Sequence, residues 1–257
     1  MGWNQQYYDT LSFYFWEPQH IGRKRNPNSK IRNERDVVTR LRSLEVALNH
    51  QMELFFRLAP NSFANRFLAA AFGVPLSDNF EVAGRQLRDQ LNDQGMLQPD
   101  IVLLGNANVV AIELKVGAKS SLAQLIKYLT FLVTVGRDRA PLMLFMGPDN
   151  FANIWPERFK DAAEVWRAAL DFDRSLLAPS WRAKYDAQRA LIADVIPRTR
   201  LAFMSYQAFH DVIAQEEAVA GAVHETYSRL LEGMARELID RNLAKCAGTA
   251  VVAPVDP

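Results

Sequence analysis

Three ionisable residues near the middle of the chain, Asp100, Glu113 and Lys115, have side chains suited to act together on a phosphodiester. Carboxylate oxygens are the ligands that Mg²⁺ prefers in proteins. A divalent ion held beside a lysine can polarise a phosphodiester, lower the pKa of a bound water and stabilise the leaving oxygen. This chemistry requires that the elements around the three residues bring their side chains to one place.

A predicted β-hairpin supplies that arrangement. The runs Ile101–Leu104 and Val109–Val116 are rich in branched aliphatic residues and flank a short loop with the sequence Gly-Asn-Ala-Asn. If the loop closes symmetrically, counting outward from it places Asp100 opposite Glu113. Directly opposed residues have Cβ atoms roughly 4.5–5.5 Å apart. Lys115 lies two positions beyond Glu113 and therefore shares its face of the sheet.

Two carboxylates at that separation repel each other. The ammonium of Lys115 offsets part of this repulsion, and a divalent cation offsets more of it. The expected cofactor is therefore Mg²⁺, with Mn²⁺ able to substitute, bound between Asp100 and Glu113. Lys115 is expected to orient or deprotonate the attacking water. The opposite face of the second strand is apolar and is expected to be core.

Pro99–Asp100, followed after a short strand by Glu113–Leu114–Lys115, resembles the signature of the PD-(D/E)xK nuclease superfamily. The resemblance implies a restriction-endonuclease-like core in which Asp100 and Glu113 bind the metal, aided by the main-chain carbonyl of Leu114. It also implies that Lys115 assists the attacking water.

A second motif follows in the next predicted helix. Gln124–Leu125–Ile126–Lys127–Tyr128 resembles the QxxxY motif of the RecB-like branch of that superfamily. Gln124 and Tyr128 are one helical turn apart and share a face. The resemblance implies that this face looks onto the active site and helps to hold the lysine and the nucleic-acid backbone.

The resemblance further implies one more acid on an earlier helix, and Glu34, Glu45 and Glu53 all compete for that role. We favour Glu34, because the segment 33–40 is similar to the opening helix of several such nucleases. The alternative for Glu34 is a structural role, since an acid in the first turn of a helix stabilises the helix macrodipole.

Periodicity and turn residues predict an α/β fold, with a small mixed central sheet, flanking helices and extra C-terminal helices. The predicted helices are 33–58, 63–72, 120–135, 156–170 and 218–244, and the strands beyond the hairpin are 141–146 and 201–204. We expect one domain: an irregular segment 1–30, a core at 33–146, an additional strand and helices at 150–245, and a disordered tail at 247–257.

Composition limits the other possibilities. Lys and Arg number 30 and Asp and Glu 29, so a nucleic-acid surface must concentrate its positive charge locally, as Arg23–Lys24–Arg25 does. The single cysteine, Cys246, excludes an intramolecular disulfide. Neither a signal peptide nor a membrane span is evident in the sequence, and we expect a cytoplasmic protein.

The favoured function is hydrolysis of DNA phosphodiester bonds with Mg²⁺, in defence against foreign DNA or in repair, and a homodimer is compatible with it. One alternative is a catalytically silent nuclease fold that binds nucleic acid or a protein partner. Another is a ribonuclease of the same fold. A third alternative is that Glu113 and Lys115 have no function and form a weak ion pair on a solvated strand face.

Overall fold

The computed structural model describes residues 2–16, 36, 38, 45–84, 87, 99–117, 119–136, 138–148, 150–220 and 225–245. The helices are α1 (Trp3–Trp16), α2 (Glu45–Leu58), α3 (Asn61–Phe72), α4 (Leu122–Val135), α5 (Ala162–Leu170), α6 (Pro179–Val195), α7 (Tyr206–Ala220) and α8 (Glu225–Asp240). The strands are β1 (Glu81–Val82), β2 (Ile101–Leu104), β3 (Asn108–Leu114), β4 (Ala140–Gly147) and β5 (Arg200–Ser205). Three short 3₁₀ turns are at Phe151–Ile154, Arg174–Leu176 and Ile196–Arg198.

The five strands form one mixed sheet in the order β1-β2-β3-β4-β5. The pairs β1–β2 and β2–β3 are antiparallel, whereas β3–β4 and β4–β5 are parallel. Helix α4 connects the parallel strands β3 and β4, since parallel neighbours need a crossover. The predicted α/β class with a small mixed sheet flanked by helices is confirmed.

The hairpin register predicted from the loop is also confirmed, because Leu104 pairs with Val109 and Ile101 with Ile112. The turn is fixed by the Asp78 carboxylate, which accepts hydrogen bonds from the backbone N–H groups of all three residues from 106 to 108. A Cβ at Gly105 would overlap this carboxylate, so the turn requires glycine there. Register determines which face each side chain takes.

The two faces of the sheet have separate cores. Val110, Ile112 and Leu114 point toward the side covered by α2, α3, α7 and α8. Val109 and Ala111 point toward the side covered by α4, α5 and α6. Strand β3 is therefore buried on both faces, which explains its nearly continuous apolar sequence. Glu113 and Lys115 have the same parity as Val109 and so turn toward α4.

Helix α4 is bounded as its sequence predicts, with small shifts. The Ser121 side chain caps the N-terminus by accepting from the Gln124 N–H, and Gly136 follows the last turn. Leu125 and Leu129 are fully buried against the sheet. Helical spacing then fixes where Gln124 and Tyr128 can point.

The prediction that residues 1–30 are irregular is wrong for 3–16, which form α1. The helix packs on α8 near the other end of the described chain: Trp3 Nε1 donates to the Leu230 carbonyl at 3.0 Å, and the Tyr8 hydroxyl donates to Glu237. Local sequence does not show these partners, so tertiary packing decides the conformation. Residues 17–30 and the predicted tail 247–257 lie outside the described residues.

Other boundaries differ in part. The helix predicted at 33–58 ends at Leu58 as expected, and Asp36 and Val38 are helical, but most of 33–44 is outside the described residues. The helix predicted from Pro156 begins at Ala162 instead, where Asp161 supplies the N-cap by accepting from the Glu164 N–H. Helices α6 and α7 were not expected over most of their length. None of the described helices is long and apolar enough to span a membrane.

Candidate active site at the ends of strands β2 and β3

Glu113 is the centre of a buried polar cluster. It lies near the end of β3 and is 3% exposed, and Lys115, just beyond the strand, is 6% exposed. Lys115 Nζ donates to Glu113 Oε1 at 2.6 Å, and Gln124 Nε2 donates to the same oxygen at 2.7 Å. The Tyr128 hydroxyl donates to Oε2 at 2.5 Å. Both carboxylate oxygens are therefore held in fixed positions.

Gln124 ties the cluster together. Its Nε2 also donates to the Tyr128 hydroxyl at 2.7 Å, and its Oε1 accepts from Lys115 Nζ at 3.3 Å. Since Gln124 and Tyr128 are one turn apart on α4, a single helix face supplies both contacts. The structure thus brings together four of the residues singled out from the sequence. Their functional roles remain predictions.

Asp100 joins this cluster from the neighbouring strand. It precedes β2, and its Oδ2 accepts from the Leu114 N–H at 2.8 Å while its Oδ1 accepts from Asn49 Nδ2 at 2.5 Å. Burial, and after it the negative charge of Glu113, raises the pKa of Asp100 to about 7. The Leu114 N–H bond opposes that rise only in part. Excess negative potential is thus concentrated here.

The structure distinguishes among the three candidate helical acids. Glu45 is the first residue of α2; burial raises its pKa, the Lys115 charge lowers it and the Glu113 charge raises it further. Glu45 therefore lies within electrostatic reach of the cluster. Glu53, two turns further along α2, forms an ion pair with Arg57 at 2.7 Å. Glu34, which the sequence favoured, lies outside the described residues.

Tyr206 and Asn49 were not identified from the sequence. Tyr206 begins α7 and is fully buried, and its hydroxyl lies close to the backbone N–H of Lys115 but outside good hydrogen-bond geometry. Burial raises its pKa well above the usual value, and the carboxylates of Glu45 and Asp100 add to this effect. Asn49 Oδ1 is a second buried oxygen without a well-formed hydrogen bond in the described part of the chain. Two unsatisfied polar atoms therefore lie around the acidic side of the site.

The donor atoms fit a hard divalent cation. An ionised carboxylate has about four acceptor positions; Glu113 uses three of them and Asp100 two. The N–H and C=O of one strand residue point to the same edge, so the Leu114 carbonyl turns toward Asp100 as its N–H does. Among the described residues no three His, Cys, Asp or Glu side chains are grouped closely enough to hold a metal. The available set is thus two carboxylates and one carbonyl, which suits Mg²⁺.

A cleft of about 420 Å³ opens beside Lys115, and its lining includes Gly117, Lys119, Asn150 and Arg158. It gives a substrate a route to the lysine. A larger cavity of about 920 Å³ lies elsewhere, between α1, α2 and α8, and its lining is mainly apolar. The smaller cleft is the one next to the ionisable cluster.

Comparisons of the chain with protein-family models, with curated proteins and with solved structures give no match.

Proposed function

We propose that this protein is a metal-dependent nuclease that hydrolyses DNA phosphodiester bonds, on a restriction-endonuclease-like core. The observation that carries the proposal is the buried network in which Lys115, Gln124 and Tyr128 all bind Glu113, with Asp100 at the same strand end. All five residues belong to the two motifs that predict nuclease chemistry from the sequence.

Asp100, Glu113 and the Leu114 carbonyl would hold Mg²⁺ or Mn²⁺. When bound, the ion supplies Lewis-acid polarisation of the phosphate and a lowered pKa for the attacking water. Lys115 positions that water through its ammonium group. Gln124 and Tyr128 keep Glu113 in one rotamer, so that its remaining acceptor position faces a constant direction.

The burial of Glu113 and Lys115 argues against the alternative that they form a solvated ion pair without function. Glu113 and Lys115 are 3% and 6% exposed, so both charges have lost most of their hydration. A buried ion pair contributes little net stability compared with apolar residues of the same size. A buried charge pair that apolar residues could replace without loss of stability, and that borders a cleft, is more typical of a functional site than of a structural one.

The decisive test is a cleavage assay with linear duplex DNA, circular plasmid, single-stranded DNA and RNA under Mg²⁺, Mn²⁺, Ca²⁺ and EDTA. We expect cleavage of DNA with Mg²⁺ and Mn²⁺. Ca²⁺ should permit binding without reaction, because it is larger, tolerates irregular geometry and is a weaker Lewis acid. Glu113→Gln is the matched inactive control, since it keeps the shape of the side chain.

Three results would contradict the proposal. Cleavage in EDTA would show that the reaction needs no metal. Cleavage of RNA alone would show that the protein is a ribonuclease. If no substrate is cut, while the wild type and Glu113→Gln bind DNA equally with and without metal, the protein is a binding module. A role in defence or repair is what the resemblance implies for an active enzyme.

A further inference from the structure

The cleft beside Lys115 lies between two loops at one end of the sheet. One loop follows β3 and contributes Val116, Gly117 and Lys119; the other follows β4 and contributes Pro148, Asn150 and Arg158. Its volume of about 420 Å³ is within the range of roughly 300–1,000 Å³ typical of small-molecule pockets. The cleft is therefore large enough for a phosphate with part of a nucleotide attached.

The charged residues among the described lining residues are all cations: Lys115, Lys119 and Arg158. Lys115 is neutralised by Glu113. Lys119 and Arg158 are exposed, and neither has an ion pair or a side-chain hydrogen bond within the described part of the chain. Two positive charges with no partner in the described part of the chain therefore line the cleft. Asp149, beside Asn150 in sequence, lies outside the described residues.

Arg158 is held where it is by an unusual backbone. Its φ is 54°, in the left-handed region, where a residue other than glycine is strained. Its N–H donates to the Trp155 carbonyl at 3.2 Å, and Trp155 is fully buried against Phe145 of β4. The turn that presents Arg158 is thereby anchored to the sheet. Glycine would relieve the strain, so the arginine side chain occupies this turn at a backbone cost.

We propose that this cleft binds the terminal phosphate of a nucleic-acid strand through Lys119 and Arg158. The phosphodiester bond next to that end then lies at Lys115. The inference rests on the proposed nuclease function and names its mode, which is attack from a strand end. A terminal phosphate carries about −1.5 to −2 charge at pH 7, and this matches the two cations Lys119 and Arg158 better than the single charge of an internal phosphodiester does. The guanidinium of Arg158 can bind two phosphate oxygens at once.

Binding in EDTA tests the cleft independently of catalysis. The probes are short single-stranded DNAs of one sequence that carry a 5′-phosphate, a 3′-phosphate or hydroxyls at both ends. We expect the wild type to prefer one phosphate-ended probe by about tenfold, the effect of one charge-assisted hydrogen bond. Inorganic phosphate should compete with that probe and leave the hydroxyl-ended probe almost unaffected.

Arg158→Gly and Lys119→Ala should each abolish the preference. Arg158→Gly suits the left-handed backbone, so its melting temperature should hold or rise, which separates binding from folding. The control is Arg189→Ala, an exposed cation on α6, which should keep the preference. Equal affinity of the wild type for all three probes would overturn the proposal, as would an equal loss in Arg189→Ala.

A second measurement separates this proposal from the nuclease assignment itself. With Mg²⁺, the wild type should degrade phosphate-ended linear DNA at least tenfold faster than circular DNA. Equal rates on circular and linear DNA would leave the nuclease in place and overturn the end-directed mode. No cleavage together with a retained phosphate preference would overturn the nuclease and leave the phosphate site standing.

Discussion

Tyr128 on α4 donates its hydroxyl proton to Oε2 of Glu113 on β3, and the two side chains are 2% and 3% exposed. Burial raises the pKa of Tyr128 far above its usual range, and the charge of Glu113 raises it further. The phenol is therefore a permanent donor at neutral pH. Its consequence is a carboxylate whose rotamer is fixed before any substrate or metal arrives.

Tyr128→Phe should show what this fixed rotamer contributes. The change removes only the hydroxyl, so we expect activity to fall about 10- to 100-fold, as for other residues that orient metal ligands. The free energy of unfolding should fall by about 1–3 kcal/mol, the value of a hydrogen bond to a charged group. Tyr185→Phe, at another buried tyrosine, is the control and should keep activity. Equal activity of Tyr128→Phe and wild type would show that the hydroxyl does not act on the site.

The Glu113–Lys115 pair calls for a double-mutant cycle. Both side chains of this ion pair are buried. Glu113→Gln and Lys115→Met should each lower the free energy of unfolding by about 3–5 kcal/mol, because each leaves one buried charge uncompensated. The double variant should recover much of this stability and none of the activity. Additive losses in thermal or chemical unfolding would contradict a coupled pair.

The part of the site that sequence could predict is local. Asp100, Glu113 and Lys115 are placed by the register of one hairpin, and that register follows from the loop and the strand parity. Gln124 and Tyr128 are placed by helical spacing after a serine cap. These relations need only period-2 and period-3.6 geometry over fewer than thirty residues.

The rest depends on contacts between distant elements. Asn49 and Glu45 reach the site because α2 packs against the sheet, and Tyr206 reaches it because β5 pairs with β4. Asp78 fixes the hairpin turn from outside the hairpin. No local pattern marks such residues, since a polar residue on a helix is usually solvated. Helix α1 was missed for the same reason: its partners are on α8.

Glutamate-to-glutamine variants will decide which helical acid acts with the cluster. Glu45→Gln should lower the metal-dependent rate about tenfold, because Glu45 shares the electrostatic environment of Glu113 and Lys115. Glu53→Gln is the matched control on the same helix, where the acid is paired with Arg57. Glu34→Gln tests the acid that the sequence favoured. A large loss in Glu34→Gln beside a normal Glu45→Gln would restore the original assignment.

Tyr206→Phe should lower activity without lowering stability, whereas Tyr128→Phe should lower both. The Tyr206 hydroxyl is buried and makes only a poorly aligned contact with the Lys115 backbone N–H. Removing it should therefore leave the free energy of unfolding in EDTA unchanged or raise it by about 1 kcal/mol. Activity should fall severalfold, because the hydroxyl lies within electrostatic reach of Glu45 and Asp100. Tyr227→Phe, which loses a bond to Glu216, should lose stability and keep activity; a destabilised Tyr206→Phe would indicate a structural role.

Asp100→Asn should change how stability depends on pH when no metal is present. Burial and Glu113 raise the pKa of Asp100 from 3.8 to about 7. The native state therefore binds this proton more tightly than the unfolded state, and stability falls as pH rises from about 4 to 7 and is level above that. Asparagine does not titrate, and Asn49 can turn its amide to present the unpaired Oδ1 to the new side chain. In EDTA the free energy of unfolding of the variant relative to the wild type should rise across that pH range, to a difference of roughly 1–3 kcal/mol at pH 8. The variant should also lose cleavage with Mg²⁺. Melting temperatures of both proteins from pH 4 to 8 measure this difference, and parallel curves would show that the Asp100 carboxyl is not strained by its surroundings.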